Sequence, residues 1–458
     1  MKNLKITVIL LILFSVFISC KKESKSVETK EKEDDSFILT PPILEADIKY
    51  DKYKVEPSKD TIIHHKSGAV IQIPQNAFLD SEGKVVTEGI DLKFRTFTNP
   101  LETYLAGIPM NYNINGEDKV FESAGMFEII ANSKGEKLFV NPESKIKVTL
   151  NSFDEDNQFN TYDLNEESNS WIETGKDNII VESKEDALKN LPKLPEPPKR
   201  AGKFSFELED ELYKDSEISN YKNVWFTPID GKECGFDAKD VKIKGLKNGT
   251  FEVTFIPWVE IEGLKTKCIC YLSFKDEVEY SKALKGYQIK YAKQIAKEKK
   301  LREEIENEWA EYESKLKDYK IFLAKDEIEK LKGQKKILRT LEVNNFGFVN
   351  VDKPIDYPQG ATIKAKFVDA NGKKISLKQV VLIEIGRNAL YRYKKEIKFN
   401  PNNDNLLWGV TKEGKLAYFT NEDFKSLEKT SGKVTLKMNE HSTELNSYDE
   451  IMAVLFNK

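Results

Sequence analysis

The sequence predicts a mainly β protein with a long α-helix between its β regions. Three observations support this class: short apolar runs that alternate with period two, Asn-Gly pairs between such runs, and one long proline-free segment with helical spacing. A chain of 458 residues, of which 39% are hydrophobic, is long enough for about two to four domains with apolar cores. We therefore expect multiple antiparallel β-sandwich domains and an inserted helical or coiled-coil segment.

The first β domain is expected over residues 49–190. Residues 69–74 form a short apolar strand that Pro74 ends, residues 90–94 alternate between apolar and polar side chains, and Asn115-Gly116 predicts a tight hairpin. Further short strands are predicted at 126–131, 146–150, 171–173 and 179–181. This regular spacing is typical of an antiparallel sandwich.

A likeness to a known domain lies at the start of this region. Residues 68–78, followed by Gly83 and Gly89, resemble the opening of the ZU-type β-sandwich of ankyrins and netrin receptors. The resemblance implies an interaction module without active-site chemistry. Some members of that family cut themselves at a His-Phe-Ser tripeptide, which this sequence lacks, so no self-cleavage is implied.

The remaining chain divides at changes of composition. Residues 191–200 are rich in proline and predict an extended linker. Residues 201–276 predict a second β domain, with a hairpin at Asn248-Gly249, and residues 336–458 predict a C-terminal β domain that ends in a strand at 452–456.

The long helix is predicted over residues 277–335. Its second half carries apolar residues at heptad spacing: Ile305, Trp309, Tyr312, Leu316, Tyr319 and Leu323. One continuous helix would reach roughly 75–85 Å, which exceeds the width of a small sandwich. A core-packed surface helix explains the charge of this segment but not its length. We therefore expect a projecting helix or coiled coil that contacts a partner protein or a second copy through residues 280–330.

The first twenty residues predict export. Lys2 and Lys5 precede an apolar run at 6–18, which is too short for a stable spanning helix and is typical of a secretory signal. Residues 17–20 resemble the lipobox of bacterial lipoproteins, which implies that residues 1–19 are removed and that Cys20 carries several fatty acyl chains, such as palmitate. Ordinary cleavage with an unmodified Cys20 is the alternative.

Residues 20–48 are expected to form the lipidated cysteine and a disordered, charged tether. Residues 21–36 contain Val27 as their single apolar residue, so they cannot bury a core. The charged start of this stretch resembles the surface-export signal of lipoproteins in Bacteroidota, and a plain spacer is the alternative. Residues 346–352 and residues 399–401 with Asn405 and Trp408 resemble segments of uncharacterised cell-envelope lipoproteins of Bacteroidota, a likeness that implies architecture only. The lipobox and the export-signal resemblance imply the bacterial envelope, as an outer-membrane lipoprotein on the periplasmic side or the cell surface. The expected first partner is then the lipid bilayer, through acylated Cys20.

Three cysteines remain beyond the lipobox. Cys268 and Cys270 lie two apart in a predicted strand and therefore face the same side. A disulfide from Cys234 to either of them fits an oxidising compartment, and free buried cysteines fit as well. A zinc site from these three cysteines and His441 lacks the Cys-x2-Cys spacing of zinc ribbons, so we predict no metal site.

The charge of the chain and the absence of known catalytic motifs exclude several classes of function. The formal net charge is −4, and it becomes −6 without residues 1–19, so a nucleic-acid partner is not expected. The sequence contains no nucleophile-elbow, zinc-protease or phosphate-loop motif, and we predict no enzyme and no cofactor. An envelope hydrolase is the third hypothesis, since an acid pair such as Asp154 and Asp156 could do acid–base work. Among 76 acidic residues, such a pair is expected by chance.

The leading hypothesis is a membrane-anchored envelope lipoprotein that acts as a non-enzymatic interaction or scaffold module. The alternative is a surface lipoprotein that binds glycans or nutrients through exposed tryptophans, for which the candidates are Trp171, Trp258 and Trp408.

Overall fold

The computed structural model describes residues 39–214, 216–235, 237–259, 266–323, 335–394 and 396–456, apart from the Asp318 side chain. The expected leader, Cys20 and the first part of the expected tether lie outside these residues. The described chain is mainly β, with several antiparallel sheets around three apolar cores. This confirms the predicted fold class at the level of β-rich, multi-sheet architecture.

The strands, in chain order, are β1 (Asp51–Val55), β2 (Thr61–His64), β3 (Val70–Ile73), β4 (Phe78–Leu79), β5 (Ile90–Phe97), β6 (Asn111–Ile114), β7 (Glu117–Ser133), β8 (Glu136–Lys137), β9 (Phe139–Val140), β10 (Lys147–Ser152), β11 (Asn160–Asn165), β12 (Ser170–Gly175), β13 (Asn178–Ser183), β14 (Lys199–Arg200), β15 (Phe206–Glu207), β16 (Val224–Pro228), β17 (Asp240–Gly245), β18 (Phe251–Ile256), β19 (Lys267–Phe274), β20 (Lys335–Glu342), β21 (Gly347–Ile355), β22 (Ala361–Val368), β23 (Leu377–Glu384), β24 (Tyr391–Tyr393), β25 (Glu396–Phe399), β26 (Asn405–Thr411), β27 (Leu416–Phe419), β28 (Ser431–Lys437) and β29 (Asn439–Glu440). The α-helices are α1 (Pro100–Leu105), α2 (Lys184–Lys189), α3 (Glu277–Lys290), α4 (Ala292–Tyr319), α5 (Asn421–Lys425) and α6 (Tyr448–Phe456). Short 3-10 turns lie at Leu44–Ala46, Asp210–Leu212, Glu217–Asn220 and Lys320–Phe322.

Two sheets enclose the first core. One has the order β1-β5-β7-β21-β11-β12, with β6 and β8 paired to β7, and the other has the order β13-β20-β10-β3-β2. Strands β20 and β21 come from beyond the helices, whereas the sequence assigned them to a separate domain over 336–458. They belong here because β20 alternates buried Ile337, Arg339 and Leu341 with less buried residues, which completes the inner face of its sheet.

The second β region has its own sheet and core. Its order is β15-β16-β19-β18-β17, with β14 paired parallel to β19, and α3 packs against it through Ala283. The proline-rich segment lies against this region, since the Pro195 carbonyl accepts a hydrogen bond from Tyr287 and the Glu196 N–H donates to Asn248. It is therefore a packed segment rather than a free spacer.

The third core joins two smaller sheets to α1, α5 and α6. The sheets have the orders β25-β22-β28 and β24-β23-β26-β27-β29. The part of the expected tether that the structure describes packs here through buried Ile43 and Ala46. The strand expected at 452–456 is wrong: it is part of helix α6, which buries Ile451, Met452 and Leu455 along one face.

The expected helix over 277–335 is divided and shorter. Helix α3 ends at Lys290, Tyr291 leaves helical geometry with φ −106° and ψ 16°, and α4 ends at Tyr319. The coiled coil is not confirmed, because the apolar seam of α4 is buried against its own chain. The Tyr312 hydroxyl donates to the Ser152 carbonyl at 3.0 Å, and the Tyr319 ring stacks on Phe153 at 4.5 Å. Residues 324–334 of the expected helix lie outside the described part of the chain.

Candidate functional site

A recess that bears on binding lies between α3 and the sheet of the second β region. We call it the tyrosine cleft, and its walls include the four tyrosines Tyr213, Tyr221, Tyr287 and Tyr291. Its volume is about 540 Å³. Ligand pockets in proteins are commonly about 300–1,000 Å³, so a ligand of one or two rings fits this space.

Local sequence explains how α3 forms one wall of the cleft. Asp276 caps the helix by accepting a hydrogen bond from the Glu279 N–H, and the small Ala283 lets the helix approach the sheet. A Cβ at Gly286 would lie 2.7 Å from the Tyr221 hydroxyl, so glycine is needed for that ring to pack against the helix. The glycine within α3 is therefore a contact point with the sheet of the second β region.

Polar groups at the cleft are already engaged within the chain. The Tyr287 hydroxyl donates to the Pro195 carbonyl at 2.6 Å, and Lys290 is ion-paired with Glu217. Burial raises the pKa of Tyr287, and the hydrogen bond with Glu217 raises the pKa of Lys290. The cleft therefore offers neutral phenol rings and apolar faces, with the charged pair at its edge.

A second recess is lined by polar groups of the first sandwich. It has a volume of about 690 Å³ and includes His65, Ser67, Arg95 and Lys315. The Ser67 hydroxyl lies 2.7 Å from His65 Nδ1, and His65 Nε2 lies 2.7 Å from Asp51 Oδ2. The sequence carries no motif that would join Ser67 and Asp51 to His65.

These three side chains are the residue types of an acyl-transfer triad, but their hydrogen bonds hold a turn. The Ser67 N–H also points to His65 Nδ1 at 3.2 Å, so Nδ1 is the acceptor and Nε2–H donates to Asp51. The Ser67 hydroxyl accepts from the Ala69 N–H at 3.3 Å, and Gly68 closes the turn with φ +85°. The cluster therefore ties the β2–β3 hairpin to β1, and we assign it no catalysis.

Burial and hydrogen bonds shift the pKa values of His65 and Asp51. Burial lowers the pKa of His65, and the hydrogen bond to Asp51 opposes this change. Burial acts to raise the pKa of Asp51, but hydrogen bonds from Lys66 and His65 outweigh it, so the pKa of Asp51 is lowered. A neutral imidazole beside a carboxylate is thus the favoured state.

The structure pairs two of the three cysteines named from the sequence. Cys234 and Cys268 form a disulfide with a Cα–Cα distance of 6.4 Å, and Cys270 is buried outside that bond. The disulfide consumes two of the thiols that the unfavoured zinc site needs. Over the described residues, no group of three or more His, Cys, Asp or Glu side chains is arranged to hold a metal ion.

The tryptophans proposed as glycan platforms are mostly internal. Trp171 is buried and donates to the Pro109 carbonyl at 2.6 Å, and Trp408 is fully buried against Tyr104. Trp258, by contrast, is 67% exposed. Two of the three candidates therefore cannot stack on a sugar from solvent.

The acid pair Asp154 and Asp156 does not form a free carboxylate site. Lys353 lies 3.1 Å from Asp156 and 3.9 Å from Asp154. Burial acts to raise the pKa of Asp156, but hydrogen bonds from the Gln158 N–H and Lys353 outweigh it, so the pKa is lowered. A carboxyl with a lowered pKa is a poor general acid near neutral pH.

Two further findings complete the description. In the part of the chain that the structure covers, no helix has both the length and the apolar character to cross a membrane. Comparison of the chain with protein-family models, curated proteins and solved structures gave no match.

Proposed function

We propose that the protein is a lipid-anchored lipoprotein of the bacterial envelope whose β body works by binding rather than by catalysis. The observation that carries the proposal is the Cys234–Cys268 disulfide. Disulfides persist in exported proteins and are rare in the cytosol, which agrees with the signal-like leader that ends at Cys20.

The anchor is tested by labelling intact cells. The full-length protein, expressed in a Gram-negative host with an alkyne analogue of palmitate, is expected to take up the label and to sediment with membranes. Cys20→Ser should abolish both, and globomycin should cause a slower-migrating precursor to accumulate. The matched control Cys270→Ser should keep the label. An unlabelled wild-type protein in the cytosol would contradict the proposal.

Partner contact is proposed on the outer face of α3, because the apolar seam of α4 is already covered. Val278 and Ile289 are 73% and 69% exposed and lie eleven residues apart, which is close to three helical turns. A photo-crosslinker at Ile289 in intact cells should capture one defined partner or a second copy. The same group at Lys300, on the charged middle of α4, serves as the control. Equal capture at both positions, or none at Ile289, would count against this face.

A second candidate function is capture of a small ring-bearing nutrient in the tyrosine cleft, which its volume and four phenol rings favour. Saturation-transfer NMR with nucleosides, aromatic amino acids and aryl glycosides tests it on the full-length protein in detergent. Tyr291→Ala should remove binding, whereas Tyr280→Ala, on the same helix but outside the cleft lining, should not. The candidate fails if none of these probes shows transfer.

A further inference from the structure

A third recess lies beside the sheets of the third β region. We call it the Glu384 pocket, and Tyr357, Glu384, Arg387, Tyr391, Asn400 and Asn403 are among its lining residues. Its volume is about 490 Å³, which accommodates a sugar of one or two rings. No sequence motif includes Glu384 or Tyr391.

Two buried polar atoms in this pocket, one on Glu384 and one on Tyr391, carry the argument for a ligand. Glu384 is 3% exposed and Tyr391 is 0% exposed. Among the described residues, Glu384 Oε1 has no hydrogen-bond partner, and the Tyr391 hydroxyl has none of good geometry. The Arg387 side chain lies close enough to the Tyr391 hydroxyl to lower its pKa, against the larger effect of burial. Buried polar atoms in folded proteins are nearly always hydrogen-bonded, so these two atoms indicate a ligand that supplies the missing bonds.

The charged side chains around the pocket are paired with one another. Lys119 is paired with Asp356 at 2.7 Å, and Arg387 Nε lies 3.9 Å from Glu384 Oε2. Two basic and two acidic side chains therefore face the same space. Burial raises the pKa of Glu384, and the charged groups here are paired within the chain. A strongly charged ligand would have to break one of these pairs, so the pocket favours a neutral ligand.

The remaining wall suits a ligand that has both hydroxyl groups and an apolar ring face. Asn400 and Asn403 bring amide groups, which both donate and accept hydrogen bonds. The Tyr357 hydroxyl accepts from Asn111 Nδ2 at 2.6 Å, and its ring lies 6.0 Å from the Tyr391 ring. These contacts fix the Tyr357 ring as an aromatic wall against which the C–H groups of a ligand can pack.

We propose that the Glu384 pocket binds a neutral polyhydroxylated ligand of monosaccharide or disaccharide size. One ligand hydroxyl donates to Glu384 Oε1, and a second exchanges a hydrogen bond with the Tyr391 hydroxyl. The site is distinct from the tyrosine cleft, and its occupancy does not depend on the anchor at Cys20.

The test uses the full-length protein in detergent micelles. The probes are the methyl glycosides of glucose, galactose, mannose and N-acetylglucosamine, together with maltose and cellobiose, titrated by saturation-transfer NMR. At least one probe is expected to bind with millimolar affinity or better. Glu384→Gln should weaken that probe by about tenfold, because a hydrogen bond to a carboxylate is replaced by a weaker one to a neutral amide oxygen. Tyr391→Phe should weaken it by about threefold to tenfold.

The controls separate binding from stability. Glu396→Gln makes the same chemical change at an exposed position of β25 and should leave the affinity unchanged. If Glu384→Gln does not fold, Tyr391→Phe still removes a single pocket oxygen. The proposal is overturned if no probe binds the wild type at millimolar concentration. It is also overturned if folded Tyr391→Phe binds like wild type, or if Tyr291→Ala in the tyrosine cleft abolishes the signal instead.

Discussion

Loss of the Cys234–Cys268 disulfide should destabilise the second β region in particular. The two cysteines are 34 residues apart in sequence. In the chain-entropy account, a cross-link that closes a loop of that length stabilises the fold by about 3.8 kcal/mol, because it restricts the unfolded chain. Both half-cystines belong to the core between α3 and its sheet, so this region should lose stability while the first sandwich does not.

The measurement is urea unfolding of the full-length protein in detergent, with and without reductant, followed by tryptophan fluorescence. Trp225 lies on β16 beside β19 and reports on this region. We expect the transition of the second region to lose about 3–4 kcal/mol of unfolding free energy on reduction. The double variant Cys234→Ala/Cys268→Ala should behave like the reduced wild type.

Two results would refute this reasoning. Cys270→Ala keeps the disulfide, so its sensitivity to reductant should match that of the wild type. In a Cys20→Ser background, the denatured but unreduced protein should show one free thiol. Three free thiols, or an unfolding curve that reductant leaves unchanged, would show that the cross-link does not form.

Three further perturbations follow from buried polar contacts. Arg339→Met should destabilise the first sandwich by about 3–5 kcal/mol, since the change strands the buried partner Asp177, which lies 2.7 Å away; urea unfolding measures it. Burial lowers the pKa of His65 below 6.5, so the contribution of His65 to the unfolding free energy should be constant above pH 6.5 and fall as pH decreases below it. In paired pH series, His65→Gln should remove this part of the slope. Tyr312→Phe should cost about 1 kcal/mol by losing its bond to a buried carbonyl, as measured by thermal unfolding.

For each of these three variants, a stated result would contradict the prediction, and for Arg339→Met the chain also offers a control variant. Arg302 makes an exposed pair with Glu298 one helical turn away, so Arg302→Met should change stability by less than about 1 kcal/mol. Equal effects of the Arg339 and Arg302 variants would contradict the role of burial. A wild type and a His65→Gln variant with the same pH slope would show that His65 does not govern it. A Tyr312→Phe variant as stable as the wild type would mean that α4 docks by apolar contact alone.

The hairpins of this fold could be predicted from the sequence, because they depend on the residues of the turn itself. The turn at Asn115-Gly116 requires two left-handed residues, and the structure has φ +52° and +89° there, with β6 and β7 paired around it. The hairpin at Asn248-Gly249 likewise joins β17 to β18. Such turns depend on the residues within them, so neighbouring strands and their register could be predicted from short windows.

Features that depend on contacts between distant parts of the chain could not be predicted in this way. The apolar spacing of α4 is the same for a coiled coil and for a helix that packs on its own domain, and only the position of Phe153 and Ser152 decides between them. The run at α6 is short and apolar, and short apolar runs do not distinguish strand from helix. The pairing of Cys234 with Cys268 rather than Cys270 was also open, because both lie on the same strand face.

The sequence by itself determined the β-rich class and the hairpins, since these depend on the properties of adjacent residues. Tertiary structure alone decided that β20 and β21 complete the first sandwich and that Glu384 and Tyr391 meet in one pocket. Those arrangements join residues far apart in the chain. They depend on which apolar faces can bury each other at the lowest free energy, and no short stretch of sequence records that.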